Sequence, residues 1–285
     1  MLVYKQYDRA ALDLQFNNRV RVPDHAIHLG RCETMSRQTE KEYSFEKDIP
    51  YGNLDRERLD IYPSSQPHSK TLVFIHGGYW QRLDKSTFQF IAGAFHSYGI
   101  TTVLITYPLG PAVSMDQIVL SCRGAIQWVN ENISRYNGDP NQLYLAGHSA
   151  GGHLATMMMA ADWCHSNKRF PVQMFKGVCA MSGLFNLLPI QLSEINDGLN
   201  MSDQTVLCNS PVELHPVCSC PLLLAVGEDE SEEFRKQSEE LYTCWKEHVP
   251  AQLIQLPGIN HYSIVEAAAD KNSSLHKAIC SLMEL

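Results

Sequence analysis

Short apolar runs alternate with longer amphipathic stretches through most of this 285-residue chain. The runs cover residues 71–75, 101–106, 143–146, 177–181, 222–226 and 253–256. Most lack the polar alternation of a half-solvated strand, so they predict strands covered on both faces. Between and after them, residues 86–98, 115–133, 150–164, 231–247 and 263–283 carry helical periodicity. This βα repetition predicts an α/β fold with a doubly wound, mostly parallel sheet. Two earlier segments, 43–49 and 58–62, add antiparallel edge strands and bring the sheet to about eight strands. Two stretches break the rhythm. Residues 1–40 are polar and helix-prone, with Phe16-Asn17-Asn18-Arg19 ahead of Pro23, and residues 184–215 are irregular, with Pro189 and Pro211. The expected organisation is a helical arm or cap over 1–40, one α/β domain over 41–285, and a candidate lid at 184–215. No repeat or low-complexity segment is present in the sequence.

The run at 143–146 leads straight into Gly147-His148-Ser149-Ala150-Gly151, and a helical pattern starts at Ala150. A strand turning sharply into a helix lifts the middle residue of G-x-S-x-G clear of the sheet. Small flanking residues are needed because a Cβ there would strike neighbouring backbone. Ser149 is therefore the candidate nucleophile. His148 and His153 flank this turn, where the backbone is expected to aim them away from the Ser149 hydroxyl; His148 is also a candidate for the pocket wall.

A second signal follows the run at 71–75, namely His76-Gly77-Gly78-Tyr79-Trp80. Paired glycines after a central strand let backbone N–H groups face a ligand. Acyl transfer needs such donors, because the carbonyl oxygen becomes negative in the transition state. The expected oxyanion hole is the N–H of Gly77 or Gly78 together with that of Ala150. His76 is expected to fix the loop by bonding nearby backbone. Tyr79 and Trp80 are both candidates for the substrate pocket.

The chain has 12 histidines. His261 follows the last apolar run in a breaking segment, Pro257-Gly258-Ile259-Asn260-His261, which places it at the same sheet edge as Ser149. It is the expected base. The partner acid should follow the run at 222–226. Glu228, Asp229, Glu230, Glu232 and Glu233 all stand there, and position alone leaves the choice open.

These residues resemble the α/β-hydrolase superfamily. More narrowly they resemble the arylformamidase (kynurenine formamidase) and small-esterase branch near the hormone-sensitive-lipase group. Leu59-Asp60-Ile61-Tyr62, Phe74-Ile75-His76-Gly77-Gly78-Tyr79-Trp80 and Gly147-His148-Ser149-Ala150-Gly151-Gly152-His153-Leu154 carry the likeness. Ala161-Asp162-Trp163, Ser182-Gly183-Leu184-Phe185, Glu233-Phe234, Gln237-Ser238 and Asn260-His261 add to it. The likeness runs from about residue 43 to the C-terminus. It implies the α/β-hydrolase fold and a serine hydrolase that cleaves N-formyl aromatic amides or short-chain esters without a cofactor. It also implies a triad of Ser149, His261 and Glu230, the acid lying three residues after the glycine that ends its strand. Many members carry Asp at that point, so Asp229 is kept as the alternative acid. Tyr79 replaces the third glycine of the H-G-G-G form, as in the arylformamidase branch.

Composition narrows the partners. A net charge of −8 disfavours nucleic acid and anionic membrane. No apolar run reaches the length of a membrane span, and residues 1–9 lack a signal-like apolar core, which predicts a cytoplasmic protein. A small-molecule substrate is expected; a homodimer is left open. Nine scattered cysteines suggest neither a disulfide framework nor a metal site. Cys218-Ser219-Cys220 lacks a second ligand pair, and His148 with His153 does not form H-E-x-x-H. Three functions stay in play: a formamidase acting on N-formylkynurenine-type substrates, a general short-chain carboxylesterase, and a non-catalytic binding protein on the same fold.

Overall fold

The structure, a computed structural model, describes residues 1–166, 168 and 170–285. Among the described residues ten strands are present. A short antiparallel ribbon, β1 (Leu2–Tyr4) and β2 (Tyr7–Asp8), precedes the main sheet. The sheet contains β3 (Glu46–Pro50), β4 (Arg58–Tyr62), β5 (Ser69–Ile75) and β6 (Thr101–Thr106). It continues with β7 (Gly138–His148), β8 (Gly177–Met181), β9 (Leu222–Gly227) and β10 (Ala251–Leu256). Their spatial order is β10-β9-β8-β7-β5-β6-β4-β3. The six strands from β10 to β6 are parallel, and β4 and β3 add antiparallel at one edge.

Helices cover both faces, as the unbroken apolar runs require. Along β5, Val73 and Ile75 pack into one core with Ile118, Ile126 and Val129 of the helix Met115–Asn132. Leu72 and Phe74 point the opposite way, into a second core with Phe95 of the helix Phe90–His96 and Ile279 near the C-terminus. The period-two alternation of the strand thus divides one apolar run between two interiors.

Three expected helices are broken. The 86–98 segment begins as a 3-10 turn, Lys85–Phe88, before the helix Phe90–His96. The helix expected over 150–164 ends at Ala160, where Ala161 turns extended, and a short turn follows at Trp163–Ser166. The 263–283 segment splits into Ser263–Ala269 and Ser274–Leu282. Asp270 is extended, and the Ser273 hydroxyl accepts from the His276 N–H to start the second helix. Serine beside a helix start favours a cap over continuation.

Residues 1–40 hold the helices Arg9–Phe16 and Asn18–Arg21 and most of His25–Glu42. Leu12 and Phe16 enter the first core, and Cys32 enters the second. The 184–215 region contains short helical turns rather than strands. The two regions touch: Asp13 accepts from the Glu194 N–H at 2.7 Å, and Arg9 pairs with Asp197 at 3.3 Å. The nine cysteines are free thiols. Among the described residues no helix is long and apolar enough to cross a membrane.

Candidate active site

The strand β7 ends at His148, and the helix Ala150–Ala160 starts one residue after Ser149. Ser149 makes the turn with φ 57° and ψ −121°. A non-glycine residue there carries strain of about 1–3 kcal/mol, which the surroundings must hold. Its N–H donates to Met181 O at 2.8 Å, and its carbonyl accepts from His153 N at 3.1 Å. A Cβ on Gly147 would stand 2.0 Å from Gly151 O, and one on Gly151 would stand 2.0 Å from Ile75 O. Both glycines are therefore fixed by backbone contact. The Ser149 side chain does not cap its own helix. Its Oγ lies 3.0 Å from His261 Nε2.

His261 sits on the loop after β10, and its Nδ1 lies 2.7 Å from Glu230 Oε2. The carboxylate can only accept, so Nδ1 carries the proton and Nε2 offers its lone pair to the Ser149 hydroxyl. That is the tautomer a general base needs. Glu230 follows β9 and is itself held: its Oε1 accepts from Ser182 Oγ at 2.5 Å and from the Gly227 N–H at 2.9 Å. All three triad side chains are buried. Asp229, the alternative acid, is exposed and engages the site through its backbone, N–H to Ile259 O. Ser182 was not singled out for a role in the sequence. It follows β8 with φ 49°, and a serine after a strand has no signature that separates it from an ordinary turn residue. The ring of Phe234 packs 4.5 Å from that of His261.

The loop after β5 turns sharply. Gly78, Tyr79 and Trp80 have φ of 113°, 51° and 57°, and the N–H groups of Gln81 and Arg82 both close on Gly78 O at 3.1 Å. His76 anchors it: Nδ1–H donates to Gly77 O at 2.7 Å, and the ring stacks on Tyr107 at 4.4 Å. Burial draws the His76 imidazole down to about 4, so it is neutral. Gly77 lies against the elbow, where an added Cβ would come 3.0 Å from Ser149 Cβ. Among the described residues nothing accepts from the amides of Gly78, Tyr79 or Ala150. Ala150 is also the first residue of its helix, where the dipole favours negative charge.

Ser149 and His261 open into a cavity of about 270 Å³, with Gly78 and Tyr79 also in its lining. Its other walls include Phe16, Asn18 and Arg19 from the N-terminal helices and Glu194 and Ile195 from the 184–215 region. Trp80, expected as a pocket candidate, is not part of that wall. It is fully buried, and its Nε1–H donates to His153 Nδ1 at 3.1 Å, which satisfies the one polar atom of the indole. His153 in turn donates Nε2–H to Asn209 O at 2.7 Å, and burial lowers its pKa to about 4.

His148 departs from the expectation that it points away. Its ring lies 4.7 Å from that of His261, it borders the cavity, and its Nε2–H donates to His261 O at 2.9 Å. The strand end turns its side chain across to the His261 loop. Burial, and then repulsion from the His261 ring whenever that ring is protonated, hold its pKa well below the usual imidazole range. Among the described residues no group of His, Cys, Asp and Glu is arranged to hold a metal ion.

Residues 59–239 match the BD-FAE family. Kynurenine formamidases of Salmo salar and Danio rerio are each 34% identical to the chain, covering 83% of it and 81% of their own length. The chain belongs to the BD-FAE family. The kynurenine formamidase of Drosophila melanogaster is 25% identical, covering 84% of the chain and 82% of its own length. A solved structure from Silicibacter sp. tm1040 superposes with a TM-score of 0.84 at 24% identity, covering 96% of this chain and 99% of that one. The carboxylesterase EstE1 superposes with a TM-score of 0.69 at 19% identity, covering 89% and 95%. These neighbours share the α/β-hydrolase fold, and this BD-FAE member is a serine hydrolase. The family match includes Gly77, Gly78, Ser149 and Glu230, whereas His261 and the N-terminal cavity wall fall outside it.

Proposed function

We propose that the protein hydrolyses aryl formamides of the N-formylkynurenine type, acting in the cytoplasm on a small-molecule substrate. The observation that carries the chemistry is the line Glu230–His261–Ser149, with contacts of 2.7 and 3.0 Å and the base in the correct tautomer. The relatives named kynurenine formamidase favour the formamide as substrate. In the first step Ser149 Oγ attacks the formyl carbon while His261 Nε2 takes its proton. The developing oxyanion accepts from the amides of the Gly77-Gly78 loop and Ala150. The C–N bond then breaks, and His261 returns the proton to the leaving arylamine. Water, deprotonated by His261, attacks the formyl ester on Ser149, and His261 gives that proton to Ser149 Oγ as the ester bond breaks and formate leaves. Glu230 keeps the imidazole oriented and stabilises its charged form.

The same residues serve an ester, so general short-chain carboxylesterase activity is the second reading. Rates on N-formylkynurenine, p-nitrophenyl acetate and p-nitrophenyl butyrate separate the two. The proposal expects kcat/KM on the formamide to exceed both ester values. Formamide hydrolysis at the uncatalysed rate, with ester turnover intact, would reject it.

A further inference from the structure

We propose that the cavity mouth reads an α-amino-acid head group, with Arg19 and Arg82 taking its carboxylate and Asn18 and Glu194 its ammonium. This rests on the formamidase reading and names how that site selects its substrate. Arg19, Arg82 and Glu194 are exposed side chains that border the same cavity as Ser149 and His261. Among the described residues neither guanidinium has a carboxylate within ion-pair distance, and Glu194 has no cation. In a chain of net charge −8, two cations left unpaired at one cavity mouth concentrate positive potential where a substrate enters. The backbone of Arg82 is fixed beside the Gly77-Gly78 loop, its main-chain N–H closing on Gly78 O at 3.1 Å, while its side chain borders the cavity. The charges of both cations also act on Tyr262, the neighbour of His261. Burial raises that phenol, while the charges of Arg19 and Arg82 and a hydrogen bond from Arg19 pull it back down.

Asn18 supplies an independent sign. It is 4% exposed, and its Oδ1 has no hydrogen-bond partner, although its Nδ2 reaches Tyr79 Oη at 3.5 Å. A buried acceptor on a cavity wall calls for a donor from what enters the cavity. A head group carrying one anion and one cationic donor matches this set: a planar fork for carboxylate, and two acceptors for ammonium. A neutral ester or simple anilide would use none of it.

The test compares kcat/KM for N-formylkynurenine with that for N-formyl-2-aminoacetophenone, the same aryl formamide without the amino-acid tail. The wild-type chain is set against Arg19→Gln, Arg82→Gln and the double variant, with thermal midpoints as a check on folding. The ratio of the two values should fall roughly 10–100-fold, chiefly through KM, as the loss of a charged hydrogen bond requires. Arg82→Lys should recover part of it. A ratio unchanged in the double variant would overturn the assignment while leaving formamide hydrolysis standing. If the wild-type chain cleaves p-nitrophenyl acetate but neither formamide, the formamidase reading fails instead. Inhibition of that ester hydrolysis by kynurenine then decides the head-group site, and equal inhibition of the wild-type and double-variant enzymes would overturn it.

Discussion

Ser149, Glu230 and His261 stand just beyond the ends of three parallel strands, whereas Phe16, Asn18 and Glu194, which wall the same cavity, come from segments outside the sheet. The first group inherits its precision from the ladder. β7, β9 and β10 lie in one sheet with parallel registers, so residues following their ends meet at one edge although 112 positions separate Ser149 from His261. The second group is held by side-chain packing of helices and by a few links such as Asp13 to the Glu194 N–H. The triad is therefore built on rigid backbone, and this part of the cavity wall on segments that can vary without moving the triad atoms.

Changes in the two regions should act on different quantities. Glu230→Gln removes the acceptor that sets the His261 tautomer and should lower kcat by about 10⁴-fold, the scale of the corresponding change in a serine-protease triad. Asp229→Asn, at the exposed neighbour, should stay within about twofold. A collapse in Asp229→Asn with normal turnover in Glu230→Gln would reverse the assignment of the acid. Phe16→Ala opens a void in the cavity wall itself, where Phe16 packs edge-on against Phe234 at 5.9 Å. It should cost about 3–5 kcal/mol in denaturant unfolding. It should also raise KM more than it lowers kcat; the reverse split would mean that the wall orders the triad itself.

Acid should weaken the fold through His76 and His153, both buried and neutral, with pKa values drawn down to about 4. The unfolded chain binds a proton at each near pH 6.5, while the folded chain does not do so until about pH 4. Stability therefore falls as pH drops from 6.5 towards 4, by up to roughly 1.4 kcal/mol per pH unit for each group. Thermal midpoints measured across that window read the slope. A flat profile would contradict the burial of these two rings.

The sheet, its two antiparallel edge strands and the Ser149 elbow were legible because each has a local signature: an apolar run of strand length, or glycines where backbone meets backbone. The break at Asp270 was harder, since the apolar period resumes after the Ser273 cap and reads as one helix. Glu230 could be chosen among five neighbouring carboxylates through family resemblance, whereas its other support, Ser182, comes from a different strand end 48 positions away. Nothing local marks that partnership. Trp80 misled for a related reason: an indole beside a catalytic loop serves a pocket or a core equally well in sequence, and here a hydrogen bond to His153 settles it in the core. Asn18 and Arg19 carry no signal at all, because their place in the cavity wall arises only when the first helices pack beside the sheet edge.

In the proposed reaction one hydroxyl, activated by one imidazole, performs the attack. Incubation with a fluorophosphonate followed by peptide mass spectrometry tests it directly, since an activated serine attacks the phosphorus, displaces fluoride and keeps the phosphonyl group. A single adduct on Ser149, lost when His261 is replaced by Ala, is the predicted result. An adduct on another residue, or undiminished labelling of Ser149 in His261→Ala, would contradict it.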